Sequence, residues 1–370
     1  MIENSDIRAV TFITSKKNKF DLSEDYLKRL KNISPKEVVD EAYDYLINDI
    51  RNNNLTFQIS LQEENYIKYL KEEHILEYIL YRYKFKEYPK KKISTKFPIY
   101  ILIEPVSSCN LKCPMCFQSD KTFIDKKYMG KMSFDLFKKI VDEAQKKGTK
   151  AITFGSRGEP TIHPEICEFL KYLKGKFLDI KLITNATKLN EKLIRTIFET
   201  KVNLVTFSID SEDEKIYEEI RKFGKFNQVL ENVKNYNKIK KEYNNCNTIT
   251  RISGVKVKAE QDEKKFESFW KEYADEVSIK KAFERWNTYN NKKHPTFTNP
   301  CRAIWERIYI WYDGKTNPCD ADYKSFLSYG NVNERSIEEI WNSEKINNLK
   351  DKHLNSKRSE ITPCDRCGIY

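Results

Sequence analysis

Between residues 97 and 282 the chain alternates two apolar rhythms. Short runs rich in β-branched and aromatic residues recur as "FPIYILIEP", "KAITFGS", "DIKLITN", "NLVTFSID", "TITRISGVKVK" and "DEVSIKKA". Stretches of helical period lie between them. Ser133 caps one that carries Leu136, Ile140, Val141 and Ala144 and stops at Gly148. "PEICEFLKYLKG" is the next and ends at Gly175. A helix over 190–200, a stretch with Val229, Leu230 and Val233, and "EKKFESFWKEYA" complete the series. Repeated strand–helix units predict a parallel sheet, and strands this apolar suit burial on both faces. Six such units predict an α/β fold, a partial (β/α)6 TIM-like barrel, with chemistry on loops beyond the strand C-termini.

The flanks follow other patterns. Residues 1–95 predict a helical extension. Ser34-Pro35-Lys36-Glu37 has the form of a capping box with proline at the first helical position, followed by Val38, Val39, Ala42, Tyr43, Leu46, Ile47 and Ile50. Ser60 with Glu63 opens a second helical pattern through Tyr66, Ile67, Leu70, Ile75, Tyr78 and Ile79. The basic stretch around Pro89 reads as a linker. After residue 300 "RIYIWYDGKTNPC" carries the Asp-Gly signal of a tight hairpin, and "SIEEIWNSEKINNL" predicts a short helix. The expected organisation is 1–95, a helical extension; 96–285, the barrel; and 286–370, a small C-terminal domain.

Composition narrows the function. The formal net charge of +12 is carried mainly by lysines dispersed among Glu and Asp, densest at "YPKKKISTK". Dispersal favours a solvated surface over a nucleic-acid partner, which would call for a basic, aromatic-bearing stripe. No apolar run approaches the roughly 20 residues of a membrane span. The opening "MIENSDIRAV" lacks the layout of a secretion signal, so the cytoplasm is the expected compartment. Nine cysteines in a reducing compartment point to metal binding or catalysis rather than disulfides. The four scattered histidines argue against a His-rich metal site.

Three of those cysteines, Cys109, Cys113 and Cys116, form Cys-x3-Cys-x2-Cys directly after the first predicted strand. Structural zinc calls for four closed ligands, and no fourth lies nearby in sequence. Three thiolates suit an iron–sulfur cube with one iron left open. With this position in the barrel, the motif resembles the radical S-adenosylmethionine (radical SAM) enzymes. The resemblance implies that the open iron binds the amino and carboxylate groups of SAM. It further implies reductive cleavage of SAM and removal of a hydrogen atom from a substrate carbon. "GSRGEP" resembles the family's Gly-Gly-Glu-Pro motif through Gly158, Glu159 and Pro160, with Arg157 in place of the first glycine. There Glu159 would face the SAM ammonium. Ser208 and Asp210 of "SID" resemble the ribose-contacting segment, and Arg221 sits where relatives place a SAM-contacting arginine. Met115 would lie beside the adenine. "TNA" at 184–186 is similar to the family's Thr-Asn-Gly, with Ala186 a departure.

A second set, Cys301, Cys319, Cys364 and Cys367, follows Cys-x12-Gly-x4-Cys and Cys-x2-Cys. Its chemistry alone suits zinc or a fully ligated 4Fe–4S cluster equally. With "GNVNERSIEEIW" between them, these residues resemble the auxiliary-cluster extension called SPASM, or its shortened twitch form. Four cysteines support one auxiliary 4Fe–4S cluster, with a structural or electron-transfer role. Asp320 is placed by the resemblance as a general base, with Asp322 and Tyr323 as lesser candidates. Cys167 and Cys246 are expected to pack in a helix face and sit in a loop. The expected activity is oxidation or rearrangement of a small molecule or carbohydrate, helped by the auxiliary cluster and a flavodoxin- or ferredoxin-type electron donor. Modification of a ribosomally made peptide or protein is the alternative. An RNA-modifying enzyme and a zinc-stabilised binding protein are the remaining readings.

Overall fold

The computed structural model describes residues 20–244, 246–282, 287–293 and 298–367. The expected boundary between 285 and 286, the first nineteen residues of the extension and His294 lie outside them. The chain divides into two compact units, Met1–Thr95 and Lys96–Tyr370.

The described part of the first unit is helical: Glu24–Ile33, Glu41–Arg51, Leu61–Ile67 and Ile75–Lys91. The capping box at Ser60 and Glu63 forms as expected. Three details differ from the sequence reading. Ser34 closes the preceding helix instead of opening the next, because its hydroxyl donates to the Leu30 carbonyl at 2.8 Å. The next helix starts at Glu41, where the Asp40 carboxylate accepts from the Ala42 amide. The pattern after Ser60 breaks into two helices, and Pro89 lies buried inside the second rather than in a linker. That helix ends two residues later, at Lys91, and Lys92 caps it in the left-handed region (φ 58°).

The second unit is built on one sheet. Strands β1 (Tyr100–Ile103), β2 (Ala151–Phe154), β3 (Asp179–Thr184), β4 (Leu204–Ser208), β5 (Ile249–Lys256) and β6 (Glu276–Lys281) run parallel in sequence order. Helices Phe134–Lys146, Ile166–Leu173, Glu191–Glu199, Phe226–Lys240 and Glu263–Trp270 follow the first five strands. Ser133, Asn190 and Asp262 cap three of them through side-chain oxygens. Ile101, Ile103, Ile152, Phe154, Leu182, Val205, Phe207 and Ile252 bury one face of the sheet in the main core. The other face is only partly covered: burial alternates along β4 and β5, and Ile183 of β3 is 37% exposed. A partial barrel has no further strands to close its lumen, so the expected burial on both faces holds at β1 and β2 and lapses beyond them.

The C-terminal segment joins this sheet. Strand β7 (Arg307–Ile310) pairs parallel with β1, and β8 (Lys315–Asn317) and β9 (Gly330–Asn331) extend it antiparallel. The order is β6-β5-β4-β3-β2-β1-β7-β8-β9. The Asp-Gly turn forms with Gly314 at φ 82°, where side chains of Asn331 and Asn333 crowd any added Cβ. "SIEEIWNSEKINNL" divides into Ile337–Trp341 and Glu344–Leu354, since Asn342 turns its amide back on the Glu338 carbonyl and ends the first helix. Cys167 is buried on helix Ile166–Leu173, and Cys246 lies outside helices and strands.

The rings of Phe137 and Phe169 stack at 4.2 Å and 7°, locking the first two barrel helices together. Phe137→Ala should destabilise this unit by about 3–5 kcal/mol. The check is the denaturant midpoint of the full chain, and a midpoint equal to wild type would refute the packing account.

Candidate functional site

The loop after β1 brings Cys109, Cys113 and Cys116 onto the wall of one pocket at the C-terminal ends of the strands. A tight turn shapes it: the Cys116 amide donates to the Cys113 carbonyl (3.0 Å), and the Ser119 hydroxyl caps the same carbonyl (2.8 Å). Met115, Gly158, Glu159, Ser208 and Arg221 share the lining of this pocket, which is partly open to solvent. Burial pushes the Cys109 thiol up to about 12, aided by the Glu159 charge. Burial also raises Cys113, against the pull of Arg221, whose guanidinium stands 3.9 Å from the sulfur. Loading these thiols with metal therefore releases protons. Among the described residues, no three His, Cys, Asp or Glu side chains converge as a single-ion site requires. Three thiols spread around a pocket match the donor set of a multi-iron cluster better than that of one zinc ion.

Two buried carboxylates near this pocket have different partners. Glu159, 3% exposed, accepts only from neutral donors: the Thr161 and Thr184 hydroxyls (2.6 Å each), the Thr161 amide (3.1 Å) and the Asn185 amide (2.7 Å). Burial outweighs these bonds and raises its pKa. Among the described residues it forms no ion pair, so a cationic ligand group fits against it. Asp210 is fully buried behind the lining, held by Arg221 at 2.5 and 3.0 Å and by the Val255 amide at 2.9 Å. Arg221 sits at a helix C-cap and faces the pocket. Pro160 starts the 3-10 turn behind Glu159 and does not reach the lining. Gly158 is required by close approach, since a Cβ there would fall 1.9 Å from the Val106 carbonyl oxygen. Ala186 adopts φ 62°, a conformation glycine takes without strain, which accounts for the glycine of the similar family motif.

Sequence reasoning missed the residues that hold this loop. Arg157, read as a mere substitution for glycine, turns inward to Glu104, directly after β1, with two bonds of 2.5 Å. Its third contact is the Tyr323 carbonyl at 2.8 Å, and its guanidinium stacks 4.0 Å over Trp311. Gln118 donates to the Ser107 (2.7 Å) and Arg157 (2.6 Å) carbonyls, bracing the thiol loop against the Gly-Glu-Pro turn. The available signals were an arginine in a glycine motif and a carboxylate directly after a strand.

The second cysteine set shares one buried neighbourhood. Burial and the charges of Cys367, Cys364, Asp320 and Cys301 together push the Cys319 thiol well up. Cys319 and Cys367 pack on Ala321. Asp320 is half-buried beside Cys319 and lies off the pocket lining. Asp322 is an unsuitable base: Tyr289, Asn317 and the Phe326 and Leu327 amides saturate it, although burial lifts it to about 6. The Tyr323 phenol donates to Asp120 (2.8 Å) and its ring stacks on Phe117.

Comparison with known proteins gives two family matches. Residues 103–266 match the radical SAM superfamily, and residues 301–368 match SPASM, an iron–sulfur cluster-binding domain. Over 112 residues the chain is 38% identical to a tungsten-containing aldehyde ferredoxin oxidoreductase cofactor-modifying protein of Pyrococcus furiosus, a match spanning 30% of each chain. A cysteine-type anaerobic sulfatase-maturating enzyme of Clostridium novyi is 26% identical over 73% of this chain and 85% of its own length. SuiB of Streptococcus suis, solved bound to S-adenosylmethionine, shares the fold with a TM-score of 0.54 at 16% identity, over 87% of this chain and 80% of that one. Among the described residues no helix is long and apolar enough to cross a membrane.

Arg157→Met would leave Glu104 buried without its partner and should cost about 3–5 kcal/mol. The pair Arg157→Met with Glu104→Leu should cost less than the two single changes summed, as read by denaturant unfolding. Additive costs would show that the two side chains do not act as a pair.

Proposed function

Since residues 103–266 are a radical SAM domain and residues 301–368 an iron–sulfur SPASM domain, we propose that this enzyme uses SAM to modify a C–H position of a peptide or protein substrate. Such domains take 4Fe–4S clusters and SAM. When bound, these groups supply reductive cleavage of SAM and a species able to remove hydrogen from unactivated carbon.

The observation that carries the chemistry is one pocket lined by three thiols and by a buried carboxylate that lacks a cationic partner. Cys109, Cys113 and Cys116 hold the SAM-binding cluster. Glu159 receives the SAM ammonium, and its neutral donors hold it aimed without competing for that group. Arg221 is neutralised by Asp210, so it orients rather than repels a cationic cofactor. Met115 and Ser208 complete the lining against the adenosine. Cys301, Cys319, Cys364 and Cys367 hold one auxiliary cluster. Full ligation leaves no iron there for substrate and favours an electron-accepting role. Asp320, beside Cys319, takes the proton when a substrate radical is oxidised.

The substrate class rests on a relative that aligns over 73% of this chain and 85% of its own length, by its name a maturase of sulfatases, hence an enzyme acting on a protein. That similarity outweighs the expectation of a small molecule or carbohydrate substrate. The family matches likewise displace a zinc-stabilised binding protein.

Anaerobic, reduced protein should convert SAM to 5′-deoxyadenosine, and Cys113→Ala should abolish that reaction; undiminished cleavage would remove Cys113 as a ligand. Glu159→Gln should keep iron but weaken SAM binding about tenfold or more, the loss of one charge-assisted hydrogen bond. Unchanged affinity in equilibrium dialysis would refute the ammonium contact. Peptides encoded beside the gene, incubated with enzyme and SAM, should change mass in step with 5′-deoxyadenosine. Turnover confined to small molecules would overturn the substrate assignment. Asp320→Asn should leave cleavage intact and suppress the mass change, and normal product formation would eliminate it as the base.

A further inference from the structure

Among the buried polar groups around the four-thiol site is the phenol of Tyr329, which is 2% exposed and whose hydroxyl finds no partner among the described residues. Its backbone is fixed, since the amide donates to the Thr316 carbonyl at 3.0 Å, at the end of the β8–β9 pairing. Strand β8 leads directly into Cys319. The phenol lies within electrostatic reach of Cys319, Cys364 and Cys301, whose charges add to burial in raising its pKa well above the ordinary range. Native structures rarely leave a buried hydroxyl unsatisfied, and an orphan donor marks an acceptor yet to be supplied. The acceptors expected at this place are sulfurs.

We infer that Tyr329 donates its O–H to a sulfur of the auxiliary cluster held by Cys301, Cys319, Cys364 and Cys367, and so raises the reduction potential of that cluster. The inference rests on the auxiliary-cluster reading above. Reduction adds one negative charge to a cluster, and a hydrogen bond to its sulfurs stabilises the more negative form. Arg358 acts in the same sense: it is 1% exposed, its charge opposes the burial that raises the Cys364 thiol, and it donates to the Cys367 carbonyl at 3.2 Å. Asp320 opposes them, as its charge pushes the Cys319 thiol up. Of this group only Tyr329 can lose its contribution with no change of charge and almost none of shape. A raised potential suits a cluster that must take an electron from an oxidised substrate centre, and it serves no purpose in a purely structural one.

The test uses the full chain, reconstituted without oxygen, titrated with dithionite and followed by electron paramagnetic resonance. Tyr329→Phe should move the auxiliary midpoint to more negative potential while the midpoint of the SAM-binding cluster and the iron content stay in place. An unmoved auxiliary midpoint at full iron content overturns the inference. Should the Phe variant lose the second cluster, the wild type decides. In D2O its reduced auxiliary cluster should show a coupled exchangeable deuteron from an O–D···S bridge, and absence of that coupling overturns the inference. A wild-type chain that binds about four irons rather than about eight would instead overturn the auxiliary-cluster reading on which it rests.

Discussion

The Glu104–Arg157 pair is the constraint on which the site depends. Both side chains are almost wholly withdrawn from water, and the guanidinium meets the carboxylate through two parallel bonds. Glu104 directly follows β1, Arg157 belongs to the turn after β2, and the third donor of Arg157 reaches Tyr323 in the C-terminal segment. The backbone amide of Glu104 donates to Ile310 of β7. One buried pair therefore ties together the start of the thiol loop, the Gly-Glu-Pro turn and the segment bearing the second cysteine set. Burying two charges has a large desolvation cost, which Coulomb attraction and hydrogen bonds largely offset. Stability alone could be had from apolar side chains of similar volume. Geometry could not, because only a planar bidentate contact fixes both loops at one distance and angle.

Charge placement around the pocket follows a simple division. Two carboxylates are buried near it, Glu159 and Asp210, and only one has been neutralised by the chain. A buried carboxylate surrounded by hydroxyls and amides keeps its attraction for a cation, since neutral donors satisfy its lone pairs without cancelling its charge. The guanidinium of Arg221 faces the pocket with its charge already balanced. The wall thus holds, beside three thiols, one buried carboxyl group with no cationic partner among the described residues.

The open lumen and the C-terminal strands solve related problems. Six strands leave the inner face uncovered and two edges unpaired. On one edge β7 takes up the free groups of β1 and carries the four-cysteine segment to the same end of the sheet as the thiol loop. The aromatic contact of Phe117 with Tyr323 joins the two cysteine neighbourhoods through side chains, since Phe117 follows Cys116 and Tyr323 lies four residues beyond Cys319.

The six strands, most of their helices, the hairpin at Gly314 and both cysteine sets were legible in the sequence, because each depends on local periodicity, capping or spacing within a few residues. Local signals misled at Ser34 and Pro89, where a neighbouring helix end and a surrounding core override them. The roles of Arg157, Glu104 and Gln118, the saturation of Asp322 and the union of β7 with β1 were decided only in three dimensions. Each pairs groups far apart in the chain, Arg157 with a carboxylate 53 residues away and a carbonyl 166 residues away. Burial sets what such groups do, since the same arginine in water would hold nothing in place. A side chain's chemistry is written in the sequence, but its partners and its dielectric surroundings come from the packing.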